Sequence, residues 1–264
     1  MFLSAENTED LSISSSLLTT LDGHGIFFSG YTRGAVVDRN EFVSIGETAV
    51  NQWGYTDGSP VPGMGWDARA GNQPRGTRVT YNLVHEVLND SVILCNTRHT
   101  SHWIRYDAQV GLWTKQNSFY FQSESFNNVI EGNIAYNGPR AGVNFDDGLG
   151  GGSVVTRNVL FNFCRESSDV RVLDLKRVRA VSLTPQAHWN AEQHGPFNSW
   201  DRVVYVYDGD GPVASDCSGT VMKKNDTISY NWILANYHSS MAIDNDDGSC
   251  FCECSNGLPN AAHS

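Results

Sequence analysis

One short pattern recurs along this chain: an apolar residue, two variable positions, an asparagine, one variable position and a second apolar residue. It spans residues 37–42, 79–84, 130–135, 155–160 and 228–233, with asparagines at Asn40, Asn82, Asn133, Asn158 and Asn231. A single match carries little weight, but five matches with apolar residues at both flanking positions define a repeat. The pattern suits a parallel β-helix. Each coil needs inward apolar side chains on short strands and a tight bend between strands, and an asparagine tolerates the left-handed backbone such a bend requires. Equivalent asparagines in neighbouring coils can exchange amide hydrogen bonds as a ladder. The fold class expected is therefore all-β, a single-stranded right-handed parallel β-helix of about eight coils with two long loop excursions.

The spacing qualifies this. The five asparagines lie 42, 51, 25 and 73 residues apart, and only the 25-residue step has the length of one coil. Segments 87–109 and 170–193 break the pattern around them, and the second holds four of the 18 basic residues of an acidic chain. Setting aside 23 residues in the first turns the step of 51 into 28. Setting aside 24 in the second turns 73 into 49, which reads as two coils. Both segments begin with valine and end with glutamine, residues whose codons can supply the GT and AG that bound an intron. They read as short in-frame introns carried into the protein sequence; the alternative is genuine loop insertion, which solenoids tolerate. The expected organisation is an irregular segment over 1–20, a β-helix over 21–249 interrupted by the two inserts, and a disordered tail over 250–264. The abrupt end after the last repeat reads as a fragment of a longer solenoid.

Composition narrows the partners. The net charge of −11 argues against nucleic acid, which requires clustered lysine and arginine. No apolar run is long enough to span a bilayer. The N-terminus lacks the basic and apolar regions of a signal peptide, so an extracellular location is expected only as part of a larger secreted protein. The tripeptide Asn225-Asp226-Thr227 fits a glycosylation sequon and points the same way. Six cysteines include Cys250, Cys252 and Cys254 in a C-x-C-x-C run, read as thiols of the frayed tail rather than metal ligands. Gly150-Gly151-Gly152 lacks nucleotide-loop spacing and reads as a loop between coils.

With the two segments set aside, residues 127–169, 194–202 and 243–249 (NNVIEGNIAYNGPRAGVNFDDGLGGGSVVTRNVLFNFCRESSD, HGPFNSWDR and IDNDDGS) resemble right-handed β-helix proteins of the pectin-lyase-like superfamily. The resemblance extends over most of residues 20–248, apart from the two inserts, and takes in large β-helix proteins of microbial eukaryotes. It implies the fold. It leaves the activity open, because that superfamily includes lyases, hydrolases, epimerases and proteins without known activity.

Acidic residues end strands at a similar phase after the ladder asparagines: Asp146 and Asp147 after Asn133, Asp201 after Asn158, and Asp244, Asp246 and Asp247 after Asn231. Equal phase in a solenoid means one face, so an acidic column is expected along a groove. In a hydrolase reading, Asp146 or Asp147 works as general acid or base against Asp201 or Glu166. His194 becomes adjacent to Asp169 on excision and joins the catalytic candidates, as the resemblance encourages; the Arg-x-Lys element of polygalacturonases is missing. In a lyase reading, Asp244, Asp246 and Asp247 hold Ca²⁺ and a basic residue abstracts a proton. Arg140, Arg165, Arg202 and Trp200 are the substrate-binding candidates, with Trp53, Trp66 and Trp113 as further stacking platforms for sugar rings. His24, in Asp22-Gly23-His24-Gly25, reads as a turn into the strand that follows. The expected partner is a polysaccharide or glycan. The rival readings are aspartates that serve only turn chemistry, a non-enzymatic structural or adhesive module, and an inactive fragment.

Overall fold

The computed structural model describes residues 2–55, 71–87, 117–146, 151–164, 196–200, 225–234, 242–245 and 252–255. Among the described residues every element is a β-strand and every pairing is parallel. The chain returns to the same four sheets in turn, an arrangement compatible with a parallel β-helix.

The first circuit runs through Leu3–Ala5 (β1), Thr8–Glu9 (β2), Ser12–Ser14 (β3) and Leu17–Leu21 (β4). The second runs through Ile26–Ser29 (β5), Thr32–Arg33 (β6), Val36–Asp38 (β7) and Glu41–Ile45 (β8), and the third through Val50–Trp53 (β9), Pro74–Arg75 (β10), Arg78–Thr80 (β11) and Leu83–His85 (β12). Later circuits keep three strands. These are Tyr120–Ser123 (β13), Val129–Glu131 (β14) and Ile134–Tyr136 (β15), then Val143–Asp146 (β16), Val154–Thr156 (β17) and Val159–Phe161 (β18). Phe197–Trp200 (β19), Asp226–Ser229 (β20) and Trp232–Leu234 (β21) follow, and Ile243–Asn245 (β22) and Cys252–Ser255 (β23) come last. The first sheet is β1-β5-β9-β13-β16-β19-β22, the second β3-β7-β11-β14-β17-β20-β23 and the third β4-β8-β12-β15-β18-β21; β2, β6 and β10 form a short corner sheet. Seven strands of the first sheet are thus described, where the spacing predicts about eight coils.

Strands this short fold because their neighbours complete them. Period-two alternation sends Val37, Val79, Ile130, Val155 and Ile228 of the second sheet inward. Leu18, Phe42, Val84, Ala135 and Leu160 of the third sheet and Ile26, Val50, Tyr120, Val143 and Phe197 of the first meet them in one core. Removing a buried aliphatic side chain from such a layer costs roughly 2–5 kcal/mol.

The repeated asparagines form the expected ladder, unbroken. Asn40 donates its backbone N–H to Asn82 Oδ1 at 2.9 Å, Asn82 to Asn133, Asn133 to Asn158 and Asn158 to Asn231, each at 2.9 Å. Each side-chain amide also donates back to the carbonyl of a residue one circuit earlier: Asn82 to Val37, Asn133 to Val79, Asn158 to Ile130 and Asn231 to Val155. Ser16 precedes them as the first rung, donating its N–H to Asn40 Oδ1 at 3.0 Å.

Three expectations need correction. The left-handed residue at the bend is the one before the asparagine, namely Ser15, Arg39, Tyr81, Gly132, Arg157 and Tyr230 with φ between 52° and 68°. The asparagine is there for its two-sided hydrogen bonding, not for its backbone. Second, Asn158 bonds directly to Asn231, so the 73 residues separating them make one circuit and not two. Third, the segment 1–20 expected to be irregular carries β1–β3 and most of β4, one strand for each of the four sheets, and β23 lies within the stretch expected to be a disordered tail. The start of the first insert also shifts, because Val87 is a core residue at 1% exposure; the rest of 87–109 and all of 170–193 lie outside the described residues.

A second ladder that the repeat does not announce lines the corner before the second sheet. Thr77 N–H donates to Asn128 Oδ1 (3.0 Å), Asn128 N–H to Ser153 Oγ (3.2 Å) and Ser153 N–H to Asp226 Oδ1 (2.7 Å). A buried polar cluster joins it from inside the coil. Tyr120 accepts from Gln52 at 2.7 Å and donates to Gln122 at 2.8 Å, while Asn128 donates to Gln122 and to Ser125.

Candidate functional site

The first sheet carries the site candidates on its outward side. Because Val143 and Phe145 of β16 point into the core, Asn144 and Asp146 between and after them face outward. Register extends two outward rows from them. One passes through Phe27, Asn51, Phe121, Asn144, Asn198 and Asp244, and the other through Ser29, Trp53, Ser123, Asp146 and Trp200.

Outward here does not mean solvated. Asn51, Phe121, Asn144, Asp146 and Asn198 are all buried, Asn144 completely. Both polar atoms of the Asn144 amide, Nδ2 and Oδ1, lack a hydrogen-bond partner, as does Oδ1 of Asn51. A buried amide without a partner costs roughly 1–3 kcal/mol per lost bond. Beside these amides the rings of Trp53 and Phe121 stack with centroids 5.9 Å apart and planes 13° from parallel. They give the face a flat apolar wall.

His24 closes the N-terminal end of the face. Its Nδ1 accepts the Thr48 N–H at 3.2 Å, which leaves the proton on Nε2, 3.1 Å from Glu47 Oε2. The Asn51 amide lies 3.2 Å from the same Nε2, and Phe27 stacks on the imidazole at 5.5 Å. Burial pushes the His24 pKa below its ordinary value, and the Glu47 carboxylate opposes that shift. His24 is thus a partnered imidazole on the same face as Asp146, not merely a turn residue. Its partners Glu47 and Asn51 come from the next circuit, which no local motif records.

Of the acidic candidates, Asp146 lies on this face and Asp244 holds a register position on it. They do not form a single row: Asp244 aligns with Asn144 and Asn198, whereas Asp146 aligns with Trp200, two residues further along the strand. With β19 between them their Cα atoms lie roughly 12 Å apart by standard strand spacings. Arg140 sits half-buried in the turn that leads into β16, its carbonyl accepting the Cys164 N–H at 2.8 Å. Asp147, Arg165, Glu166, His194, Asp201, Arg202, Asp246 and Asp247 lie outside the described residues. Among the described residues no three carboxylate, imidazole or thiol side chains gather as a cation would need.

The fold and this face define an all-β protein of stacked parallel sheets with a buried, partly unpaired polar row on one outward side. No family model, curated protein or solved structure matches the chain. No helix among the described residues is long and apolar enough to cross a membrane.

Proposed function

We propose that the chain is a right-handed parallel β-helix of the pectin-lyase-like type, from an extracellular setting, that binds and modifies polysaccharide along the outward face of its first sheet. The observation that carries the reading is the outward side of the first sheet, where Asn144 and Asp146 stand two residues apart and register continues their rows through Asn51, Trp53 and Ser123. A sugar hydroxyl both donates and accepts, so a face of carboxamide, hydroxyl and carboxylate side chains suits it. Trp53 and Phe121 supply the apolar surface against which a ring packs.

In this reading Asp146 transfers the proton, paired with Asp147, Asp201 or Glu166 and with His194 among the catalytic groups, and Arg140, Arg165, Arg202 and Trp200 orient the chain. A lyase variant has Ca²⁺ held by Asp244, Asp246 and Asp247, where its charge would acidify the proton next to a uronate carboxylate. The test is Asp146→Asn, assayed on a panel of neutral and acidic polysaccharides for reducing ends and for unsaturated products, with and without a calcium chelator. A fall in turnover of roughly 10²-fold or more, with the fold retained, is expected for a general acid or base. Wild-type protein inert on every polysaccharide would overturn the enzymatic part and leave a structural or adhesive module.

A further inference from the structure

The third sheet offers a second surface of different character. Its outward residues flank the inward Phe42, Val84, Ala135 and Leu160, and register arranges them in two rows. One row runs from Leu17 through Glu41, Leu83, Ile134 and Val159 to Trp232, and Leu17, Ile134 and Trp232 are 63%, 44% and 51% exposed. In the other row the rings of His85, Tyr136 and Phe161 stack on successive strands, with centroids 5.1 and 4.7 Å apart and planes 7° and 12° from parallel. At the adjoining corner Tyr81 and Tyr230 stand more than half exposed.

Size and charge decide what covers this surface. Six strands at about 4.8 Å and two outward rows make a strip roughly 24 Å long and 10 Å wide, on the order of 250 Å². A stable dimer covers about 800 Å² per partner, so a second copy of the chain has too little to hold. The charges beside the strip are already spent within the protein: Arg39 on Asp38, Arg157 on Glu131 and His85 near Glu41. An ionic polymer gains nothing there. A long, narrow, uncharged ligand with apolar faces fits, and its units can repeat along the same axis as the stacked rings.

We propose that the outward face of the third sheet binds a single neutral polysaccharide chain laid across the strands, with the exposed rings of Trp232 and Tyr230 as its platforms and the outward edges of the Tyr136–Phe161 stack beside them. This is a non-catalytic site, independent of any chemistry at Asp146. The experiment is affinity electrophoresis of the full chain through gels containing a soluble neutral β-glucan, a neutral xylan or polygalacturonate. The expected result is retardation by a neutral glycan that weakens at least about tenfold in a Trp232→Ala/Tyr230→Ala double variant. Asp146→Asn should be retarded like the wild type. Both altered side chains are exposed, so an unchanged melting temperature separates lost binding from lost folding. Absence of retardation by both neutral glycans, equal retardation of the double variant, or retardation by polygalacturonate alone would overturn the proposal. So would a concentration-dependent dimer in sedimentation that Trp232→Ala abolishes. Loss of turnover in Asp146→Asn with retardation kept supports both sites; retardation without turnover in the wild type fails only the enzymatic reading.

Discussion

Replacing Asp226 with asparagine should change how stability depends on pH, and by an amount the structure sets. Asp226 is 3% exposed and ends the second ladder, where Oδ1 accepts the Ser153 N–H at 2.7 Å. Burial raises its pKa from 3.8 to about 7, against the hydrogen bonds from the Ser153 and Gly151 backbone that favour the charged form. A carboxyl with a raised folded pKa holds a proton that the unfolded chain has already released. Stability from this group is therefore fully present below about pH 4, falls as pH rises, and is lost above about pH 7. Three units at about 1.4 kcal/mol each put the loss at about 4 kcal/mol. An asparagine in its place would accept the same N–H and carry no charge at any pH. Denaturant unfolding of both proteins, followed by circular dichroism, should give a stability difference that grows from near zero at about pH 4 to about 4 kcal/mol in favour of the variant at about pH 8. His24, whose pKa is lowered, tilts stability the opposite way in both proteins and cancels in the difference. A difference that stays constant across that range would refute the argument, because it would mean that Asp226 ionises as readily folded as unfolded.

Two further substitutions probe the repeat. Asn133→Leu removes the acceptor shared by the buried Asn82 backbone N–H and Asn82 Nδ2, and should lower unfolding free energy by about 3 kcal/mol or more in the same assay. Ser15→Gly acts at an exposed left-handed position with φ 52°. Relief of the Cβ penalty should exceed the added chain entropy and raise stability by about 0.5 kcal/mol.

The parts of this fold legible in the sequence are those one residue type performs in every circuit. Only a side chain with an acceptor and a donor on a short stem can serve both a backbone N–H and a carbonyl of the preceding circuit, so Asn40, Asn82, Asn133, Asn158 and Asn231 repeat and can be counted. The second ladder asks only for an acceptor, and asparagine, serine and aspartate fill its rungs in turn. It leaves no pattern. The left-handed bends hide for a similar reason, since Arg39, Tyr81, Arg157 and Tyr230 accept the strain while the neighbouring sheet supplies N–H partners at the first three. The first circuit hides because Ser12–Ser14 and Thr8–Glu9 hold little apolar signal, and their pairing with β7 and β6 makes them strands.

The same asparagine chemistry separates structure from function once the partners are counted. Asn133 and Asn144 are eleven positions apart and both fully buried. Asn133 sits at a corner where the neighbouring circuits bring two donors and two acceptors to it, and every polar atom is used. Asn144 sits mid-strand facing outward, where the adjacent circuits present Phe121 and Asn198 and its amide finds no partner. Its backbone neighbours gain nothing from the amide, so an apolar residue there would pack as well without the desolvation cost. The ladder asparagines therefore hold successive circuits together, while Asn144 costs the fold stability without joining them. One residue type is a structural rung at the corner and a liability mid-strand, and equal burial does not tell the two apart.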